Sequence, residues 1–328
     1  MLTRRALLAS GSAFAVSGCA ASFGPPDLVP ARAAAVAHAF ALRDGTRLPY
    51  RSWLPAGPPE AVVLALHGFN DSRDAWEIPA IDLTAAGCAV YAPDQRGFGQ
   101  APGRGLWPGT AALVADAAEM VGLLRDLHPR APIVLLGESM GGAVLMCLAT
   151  SARAPEGVRY VLVAPAVWGR ATMNVFLRGS LWLASTMLPS LALSGAPVRV
   201  TACDNRAALI RLSRDPLTIH ATRFDTLRGL VDLMDAALAA AASFTAPGLF
   251  MYGGRDELVP KGAMAAMWRM LPPGGARRAY YPNDYHLMLR DLGRSAPVAD
   301  VLAWTRNPLA PLPSGADRAA GEWLSREA

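Results

Sequence analysis

Short runs of consecutive apolar residues recur along the chain, and longer segments with apolar residues at helical spacing separate most of them. A fully apolar run of four to six residues is typical of a strand that is buried on both faces. We predict strands at residues 37–42, 48–54, 61–66, 88–92, 133–136, 160–163, 248–252 and 277–281. We predict helices at residues 73–86, 110–127, 143–149, 262–270 and 297–304. This alternation predicts an α/β fold, a mostly parallel sheet with helices on both faces, preceded by an antiparallel pair of strands.

The alternation of strands and helices is interrupted once, between residues 166 and 242. That segment has no clear strand pattern and is rich in Trp, Met and Leu. We interpret residues 166–242 as a helical cap inserted into a core that comprises residues 36–165 and 243–306. Residues 307–328 form a proline-containing tail with a short predicted helix at 317–325, to which we assign no function.

The first 18 residues are typical of a bacterial export signal rather than of a folded domain. Arg4 and Arg5 precede an apolar stretch that is shorter than the roughly 20 residues needed to span a bilayer. The stretch ends in Val-Ser-Gly-Cys19, which resembles a lipobox, so we predict a lipoprotein signal peptide over residues 1–18. An ordinary secretory signal with an accidental cysteine is the alternative. The arginine pair favours export by the Tat route over the Sec route.

The signal predicts a lipid anchor at Cys19, followed by a tether over residues 19–35. Ala20 and Ala21 follow the cysteine in place of an aspartate, which favours sorting to the outer membrane. We therefore expect the protein on the periplasmic side of the bacterial cell envelope, attached to a membrane through its lipidated N-terminus.

The composition is that of a globular protein, with 52% hydrophobic and 17% charged residues among 328. The net charge of +5 comes from scattered arginines, and aromatic residues are sparse, so we predict no nucleic-acid partner. With Cys19 lipidated, three cysteines remain, an odd number that excludes a complete disulfide framework. The cysteines and histidines show no metal-binding spacing, so we predict no metal site.

A candidate nucleophile lies where the strand at 133–136 meets the helix at 143–149. The sequence there, Gly137-Glu-Ser139-Met-Gly141, is the pattern of a nucleophile elbow, a sharp turn that exposes a serine. In such a turn the residues two before and two after the serine are pressed together, so a side chain at Gly137 or Gly141 would collide. A chance Gly-Ser turn is the alternative, but the flanking strand and helix favour the elbow.

A serine hydroxyl needs a neighbouring base, and the chain offers five histidines. His286 lies in a loop just after the last predicted strand, and we choose it as the base. The other four lie at positions that suit a base less well: His38 near the tether, His67 in a His-Gly pair suited to an oxyanion loop, His128 before the central strand and His220 in the cap.

The acid that orients the base should come from the loop after the preceding strand. That loop, Gly-Gly-Arg-Asp256-Glu257-Leu-Val-Pro, supplies Asp256, with Glu257 and Asp284 as alternatives. Considered without the other motifs, an aspartate after two glycines is more typical of a turn than of a catalytic acid. The chain order Ser139, Asp256, His286 favours the catalytic interpretation, because it is the order of a known serine triad.

Acyl transfer also requires N–H donors aimed at the developing oxyanion. The N–H of Met140, next to the serine, is one candidate, and the N–H of Phe69, in the loop after the strand at 61–66, is the other. Both donors are backbone groups, so the side chains at positions 69 and 140 give little evidence for or against this assignment. We assign no catalytic role to Glu138 or Asp94.

Five motifs together resemble the monoacylglycerol lipase and lysophospholipase group of α/β-hydrolases over about residues 40–302, apart from the cap, whose sequence departs from the family pattern. The motifs are His-Gly-Phe-Asn-Asp-Ser at 67–72, Asp-Gln-Arg-Gly-Phe-Gly at 94–99, Gly-Glu-Ser-Met-Gly-Gly at 137–142, Gly-Gly-Arg-Asp-Glu-Leu-Val-Pro at 253–260 and Tyr-His at 285–286. The resemblance implies an α/β-hydrolase fold and no cofactor. It assigns the triad to Ser139, Asp256 and His286, and the oxyanion hole to Phe69 and Met140.

We therefore expect a serine hydrolase that cleaves carboxylic esters of single-acyl lipids, such as a monoacylglycerol or a lysophospholipid, through an acyl-enzyme. A broad-specificity carboxylesterase and an acyltransferase are the alternatives, whereas a non-catalytic lipid-binding lipoprotein would not need all three triad residues.

The cap segment 173–193 has more apolar surface than one helix face can hide. We expect Phe176, Trp182 and Leu183 in that segment to line a tunnel for the acyl chain or to face the bilayer. The alternative is an ordinary lid whose apolar residues all pack onto the core.

Overall fold

The computed structural model describes residues 38–171, 173–194 and 200–327, so the predicted signal peptide, Cys19 and the tether lie outside the described residues. The described residues form ten strands: β1 (Ala39–Ala41), β2 (Arg47–Trp53), β3 (Ala61–Leu66), β4 (Cys88–Pro93), β5 (Ile133–Glu138), β6 (Arg159–Val163), β7 (Ala192–Ser194), β8 (Ala221–Arg223), β9 (Gly248–Gly253) and β10 (Ala276–Tyr281). The same residues form nine α-helices: α1 (Glu77–Ala85), α2 (Thr110–Leu127), α3 (Met140–Ala149), α4 (Val175–Met187), α5 (Arg206–Arg214), α6 (Phe224–Ala240), α7 (Lys261–Met270), α8 (Ser295–Arg306) and α9 (Ala316–Arg326). No helix in this described part of the chain is long and apolar enough to cross a membrane.

Eight of the strands form one sheet in the order β1-β2-β4-β3-β5-β6-β9-β10. Strand β1 pairs antiparallel with β2, β2 pairs antiparallel with β4, and the remaining neighbours in this sheet are parallel. The predicted α/β fold with a mostly parallel sheet is confirmed. Strands β3, β4, β5 and β9 are buried along their whole length, as their unbroken apolar runs predicted.

Alternate residues of the buried strands enter two hydrophobic cores, one on each face of the sheet. In β3, Val62 and Leu64 pack into the core that includes α2 and α3, whereas Val63 and Ala65 pack into the core that includes α1 and α8. This division follows from the two-residue period of a strand, whose successive side chains point to opposite faces. Since both faces are covered, the loops at the carboxyl edge of the sheet are the part of the core that can carry function.

Most predicted helices begin within two residues of the predicted start, and two differ in a way that has a physical reason. Helix α3 begins at Met140, three residues before the predicted start at 143, although glycines are poor helix formers. The helix begins early because the turn packs closely against the end of β3 at Leu66, and this packing overrides the low helix propensity of the glycines. The helix predicted over 73–86 begins as a 3₁₀ turn, Arg73–Trp76, and continues as α1.

The predicted cap contains α4, α5, α6 and a pair of strands, whereas we predicted no strand there. Strands β7 and β8 form a two-stranded antiparallel ribbon in which Leu193 lies opposite Thr222. Strands of three residues are too short to produce an alternating pattern, so the sequence does not distinguish them from loops. Helix α6 packs against α3, the helix that follows Ser139, and thereby joins the cap to the core.

The C-terminal tail ends in α9, which packs against β10 at the edge of the sheet. The Trp323 ring stacks on Tyr280 with the ring centroids 4.9 Å apart, and it meets Trp268 edge-on at 5.1 Å. All three rings are buried. The tail, to which the sequence suggested no role, therefore completes the hydrophobic core beside the last strand.

Candidate active site

Ser139 occupies the turn between β5 and α3, at the carboxyl edge of the sheet. Its φ of 52° and ψ of −112° lie in a region that residues other than glycine seldom adopt. A Cβ added to Gly137 would come within 2.6 Å of the Gly141 backbone, and one added to Gly141 within 2.2 Å of the Leu66 carbonyl oxygen. Both glycines are therefore required sterically, but Gly141 is confined by the end of β3 rather than by Gly137.

His286 and Asp256 come together because β9 and β10 are parallel neighbours whose carboxyl ends meet at one edge of the sheet. Nδ1 of His286 donates a hydrogen bond to Oδ2 of Asp256, with 2.7 Å between the two atoms. The other carboxylate oxygen of Asp256 accepts hydrogen bonds from the N–H groups of Leu258 and Val259. With the Nδ1 proton held in this way, the imidazole presents Nε2 as its basic atom.

The Asp256 carboxylate also changes the proton affinity of His286. Burial of the ring by itself lowers the pKa of His286, but the charge of Asp256, the hydrogen bond to Asp256 and the charge of Glu138 together outweigh burial. The net direction of the pKa is upward from the ordinary histidine value of 6.5. A stronger base takes the serine proton more readily, so this shift suits the predicted role.

Glu257 and Asp284, the alternative acids, have other surroundings. Oε2 of Glu257 accepts a hydrogen bond from the Thr201 N–H at 2.7 Å. Burial and two neighbouring carboxylates raise the pKa of Asp284 to about 7, so this group is a weak counter-ion for an imidazolium near neutral pH. Of these three acids, all within the described residues, Asp256 is the one hydrogen-bonded to His286.

The predicted oxyanion donors lie on two segments that meet beside Ser139. A Cβ added to Gly68 would lie 3.5 Å from the Cβ of Ser139, so the loop that carries Phe69 lies against the serine. Phe69 makes an edge-to-face contact with Phe98, with centroids 5.7 Å apart. Met140 begins α3, where the helix dipole favours a negative charge. This arrangement suits an oxyanion beside Ser139, and the assignment of the two donors stays a prediction.

His67 is a structural residue of the loop that carries Phe69. Its Nε2 accepts a hydrogen bond from the Gln95 N–H at 3.0 Å, so Nδ1 carries the proton and donates to the Gly68 carbonyl at 2.8 Å. Burial lowers the pKa of His67, which keeps the ring neutral. Because both ring nitrogens are occupied, His67 orders this loop and is a poor candidate for the base.

One group of described residues brings metal-ligand atoms together: Cys203, Asp204 and Asp291, within 4.8 Å of one another. The two carboxylates already accept hydrogen bonds from nearby backbone N–H groups. Burial raises the pKa of the Cys203 thiol to about 12, which disfavours the thiolate that binds metals. We therefore attribute this group to the stabilisation of turns and assign it no metal.

A buried ionic cluster lies next to the elbow, and no sequence pattern predicted it. Nη2 of Arg290 donates to Oε1 of Glu138 at 2.6 Å and to Oδ2 of Asp71 at 2.8 Å. Arg290 is separated from these partners by 152 and 219 positions in the chain, so no sequence spacing could indicate the contact. The one available signal was the charged residue that directly precedes Ser139 in an otherwise apolar strand.

Phe176, Trp182 and Leu183 lie on α4 of the cap, where their exposed fractions are 85%, 63% and 55%. A closed tunnel would bury these side chains. They therefore do not line a closed tunnel in this structure, and they are accessible to an acyl chain or to a lipid bilayer. Their role in binding substrate stays a prediction.

The sheet, the strained serine elbow and the hydrogen-bonded pair of His286 and Asp256 at adjacent strand ends together define an α/β-hydrolase. Residues 57–293 match the family described as serine aminopeptidase, S33, and the chain belongs to that family. The protein is therefore a serine hydrolase.

Two relatives are similar to the chain over most of their lengths. The chain is 29% identical to a monoacylglycerol lipase of Mycolicibacterium smegmatis over 81% of its own length and 95% of the relative's. It is 26% identical to a monoglyceride lipase of Homo sapiens over 76% of its own length and 82% of the relative's.

The fold of the chain is similar to that of a soluble variant of monoglyceride lipase from Saccharomyces cerevisiae, solved in complex with a substrate analog. The TM-score is 0.70 at 19% identity, with 82% of this chain and 94% of that chain covered. The predicted resemblance to the monoacylglycerol lipase group is confirmed.

Proposed function

We propose that this serine hydrolase cleaves carboxylic esters of single-acyl lipids, with a monoacylglycerol or a lysophospholipid as substrate. The observation that carries the proposal is the hydrogen bond between His286 and Asp256 at strand ends near the Ser139 elbow, because a serine needs an oriented base to attack an ester. The names of the similar proteins, monoacylglycerol lipase and monoglyceride lipase, support the choice of substrate.

In the proposed reaction, Oγ of Ser139 attacks the ester carbonyl carbon while Nε2 of His286 takes the hydroxyl proton. The N–H groups of Phe69 and Met140 stabilise the negative charge that develops on the carbonyl oxygen. Asp256 stabilises the imidazolium until its proton passes to the departing alcohol. Water, activated by the same histidine, then releases the fatty acid and restores the free serine.

The cap supports a substrate that is presented at a lipid surface. Helix α4 exposes Phe176, Trp182 and Leu183, and the transfer of one such side chain from water to an apolar phase is favourable by about 1.5–3 kcal/mol. These residues would contact the lipid phase from which the enzyme draws its substrate.

The lipobox supports a second membrane contact. Lipid attachment at Cys19, after export by the Tat or the Sec route, would hold the enzyme on the periplasmic side of the cell envelope, since two acyl signals anchor far better than one. Cell fractionation and mass spectrometry of the wild type and Cys19→Ala test this. We expect the wild type in the membrane fraction and the variant soluble or unprocessed, with its activity intact. A soluble wild type whose mass shows no acyl groups contradicts the anchor but leaves the proposed activity untouched.

A panel of esters tests the proposed activity. Purified mature protein should be assayed on monoacylglycerols, a lysophospholipid, a diacylglycerol, a triacylglycerol and a short soluble ester, with Ser139→Ala as the control for contaminating esterases. We expect the highest kcat/KM on the single-acyl lipids. Equal values across the panel would indicate a broad carboxylesterase, and transfer of the acyl group to an added alcohol in preference to water would indicate an acyltransferase. Absence of hydrolysis together with absence of fluorophosphonate labelling at Ser139 would contradict the proposal.

A further inference from the structure

Arg290 lies in the histidine loop, and its guanidinium group contacts two other segments of the active site. Nη2 of Arg290 donates at 2.6 Å to Oε1 of Glu138, the residue directly before Ser139. The same nitrogen donates at 2.8 Å to Oδ2 of Asp71, in the loop of the predicted oxyanion donor. Arg290 itself lies four residues after His286. The nucleophile elbow, the oxyanion loop and the histidine loop thus meet at one side chain.

Water cannot replace these contacts, because the cluster is buried. Arg290 and Asp71 are each 6% exposed, and Glu138 is 1% exposed. Burial lowers the pKa of Arg290, but the two carboxylates raise it, and the net direction is upward, so Arg290 stays charged. Removal of Arg290 would leave two carboxylates buried together without their counter-ion.

The cap is tied to the same loop. Nδ2 of Asn205, in the cap, donates to the Arg290 carbonyl at 3.0 Å. The N–H of Leu287 donates to the carbonyl of Ala202 at 2.8 Å. The backbone of the histidine loop is therefore bonded to the cap, while the Arg290 side chain bonds it to the core.

We propose that Arg290 is a positioning residue that holds the nucleophile elbow, the oxyanion loop and the histidine loop at fixed distances from one another. The proposal rests on the serine hydrolase mechanism described above and not on the lipid nature of the substrate. Arg290 acts through Glu138 and Asp71 rather than on the substrate. A planar guanidinium with donors in fixed directions suits this task, whereas a lysine ammonium is a flexible point charge.

The charges of the cluster give a readout that a purely structural residue would not change. The charged groups that face His286 are Asp256 from the loop after β9, Glu138 from the end of β5 and Arg290 from its own loop. Arg290 disfavours the protonated imidazole, and Glu138 favours it. Removal of the arginine should therefore raise the pKa of His286, and removal of the glutamate should lower it.

Four variants test the proposal: Arg290→Met, Arg290→Lys, Glu138→Gln and the double variant E138Q/R290M. Rates are measured on a short soluble ester and divided by the concentration of active sites, titrated with a fluorophosphonate. Arg290→Met should lower kcat per site by about tenfold or more, because small displacements of catalytic groups are costly. Arg290→Lys should restore part of that loss.

The pH profiles separate charge from positioning. The acidic limb of kcat/KM should move to higher pH in Arg290→Met and to lower pH in Glu138→Gln. The double variant E138Q/R290M has the same net charge in the cluster as the wild type, so its limb should return towards the wild-type position. Its kcat should nevertheless stay low, because the bridge between the loops is still missing.

Arg170→Met is the control outside the site, since Arg170 also bridges two carboxylates, Asp232 at 2.6 Å and Asp235 at 2.5 Å, but in a partly exposed position. We expect this control to lose stability while kcat per site and the acidic limb stay unchanged. A folded Arg290→Met variant with wild-type kcat and an unmoved limb overturns the proposal. If Arg290→Met does not fold, wild-type kcat and pH limbs in both Arg290→Lys and Glu138→Gln overturn it. A wild-type enzyme that hydrolyses no ester contradicts the proposed function instead.

Discussion

Oδ2 of Asp256 accepts a 2.7 Å hydrogen bond from Nδ1 of His286, although the two residues are 30 positions apart in the chain. They meet because β9 and β10 run parallel and side by side, so the loops after these strands meet at the same edge of the sheet. The hydrogen bond orients the ring and determines which ring nitrogen is basic. The predictions that concern catalysis depend on this contact.

Replacement of Ser139 or of His286 by alanine should lower kcat by about 10⁴- to 10⁶-fold, because neither residue works without the other. Asp256→Asn should be less damaging than Ser139→Ala but still severe, since an amide favours the wrong imidazole tautomer. Steady-state kinetics on purified variants, with folding checked by circular dichroism, measure both effects. Near-normal turnover of Asp256→Asn would transfer the role of the acid to Glu257 or Asp284.

The pH dependence of kcat/KM should reflect the upward shift in the pKa of His286. The base must be neutral to accept the serine proton, and it becomes protonated as the pH falls through its pKa. Activity should therefore decline on the acidic side with a midpoint above the ordinary histidine value of 6.5. A pH series on a soluble ester measures this midpoint. A midpoint at or below 6.5 would mean that burial of the ring outweighs the stabilisation of the imidazolium by Asp256 and Glu138.

Gly141→Ala should prevent the elbow from forming, because the added Cβ would come within 2.2 Å of the Leu66 carbonyl oxygen. We expect a loss of stability of about 1–3 kcal/mol or more, together with loss of activity. Gly122→Ala, in α2, is the matched control, since its Cβ would meet nothing within 4 Å. The control should be stabilised by about 0.4–1 kcal/mol. Urea denaturation measures both, and equal stability of the two variants would contradict the steric argument.

Trp323→Ala should destabilise the protein by about 3–5 kcal/mol, because the buried ring packs on Tyr280 and Trp268. Thermal and urea denaturation measure the change. Trp182→Ala removes the same side chain from an exposed position on α4 and should alter stability by about 0.5 kcal/mol or less. A loss in Trp323→Ala as small as that expected for Trp182→Ala would show that α9 is not part of the cooperative core.

Polar substitution of Phe176, Trp182 and Leu183 should weaken the preference for long acyl chains. Each acyl methylene that leaves water contributes about 0.8 kcal/mol, close to fourfold in kcat/KM. Wild-type kcat/KM should therefore rise with chain length and then level off, whereas the triple serine variant should show a flatter rise with normal hydrolysis of an acetate ester. Leu309→Ser, at an exposed leucine outside the cap, is the control and should behave like the wild type. Parallel loss on long and short esters would mean that the three residues support the fold.

The sequence by itself determined the sheet and the elbow. Strands such as β3 and β5 are buried on both faces and therefore consist mostly of consecutive apolar residues, so their burial can be predicted directly from the sequence. The requirement for Gly137 is equally direct, because a Cβ there would collide with the backbone of Gly141 in the same turn, whereas Gly141 is confined by the Leu66 carbonyl oxygen at the end of β3. The order of Ser139, Asp256 and His286 then followed from the alternation of strands and loops.

The tertiary structure alone decided which distant residues meet. Glu138 lies at the end of β5, whereas Asp71 and Arg290 lie in two separate loops, and ion pairs between such remote segments leave no periodic pattern in the chain. The same holds for the ribbon of β7 and β8, whose strands are too short to alternate visibly, and for Trp323, whose partners become neighbours when α9 packs on β10. Local sequence patterns reflect burial and backbone geometry, whereas contacts between remote side chains depend on the order of the strands in the sheet and on how the helices pack against it.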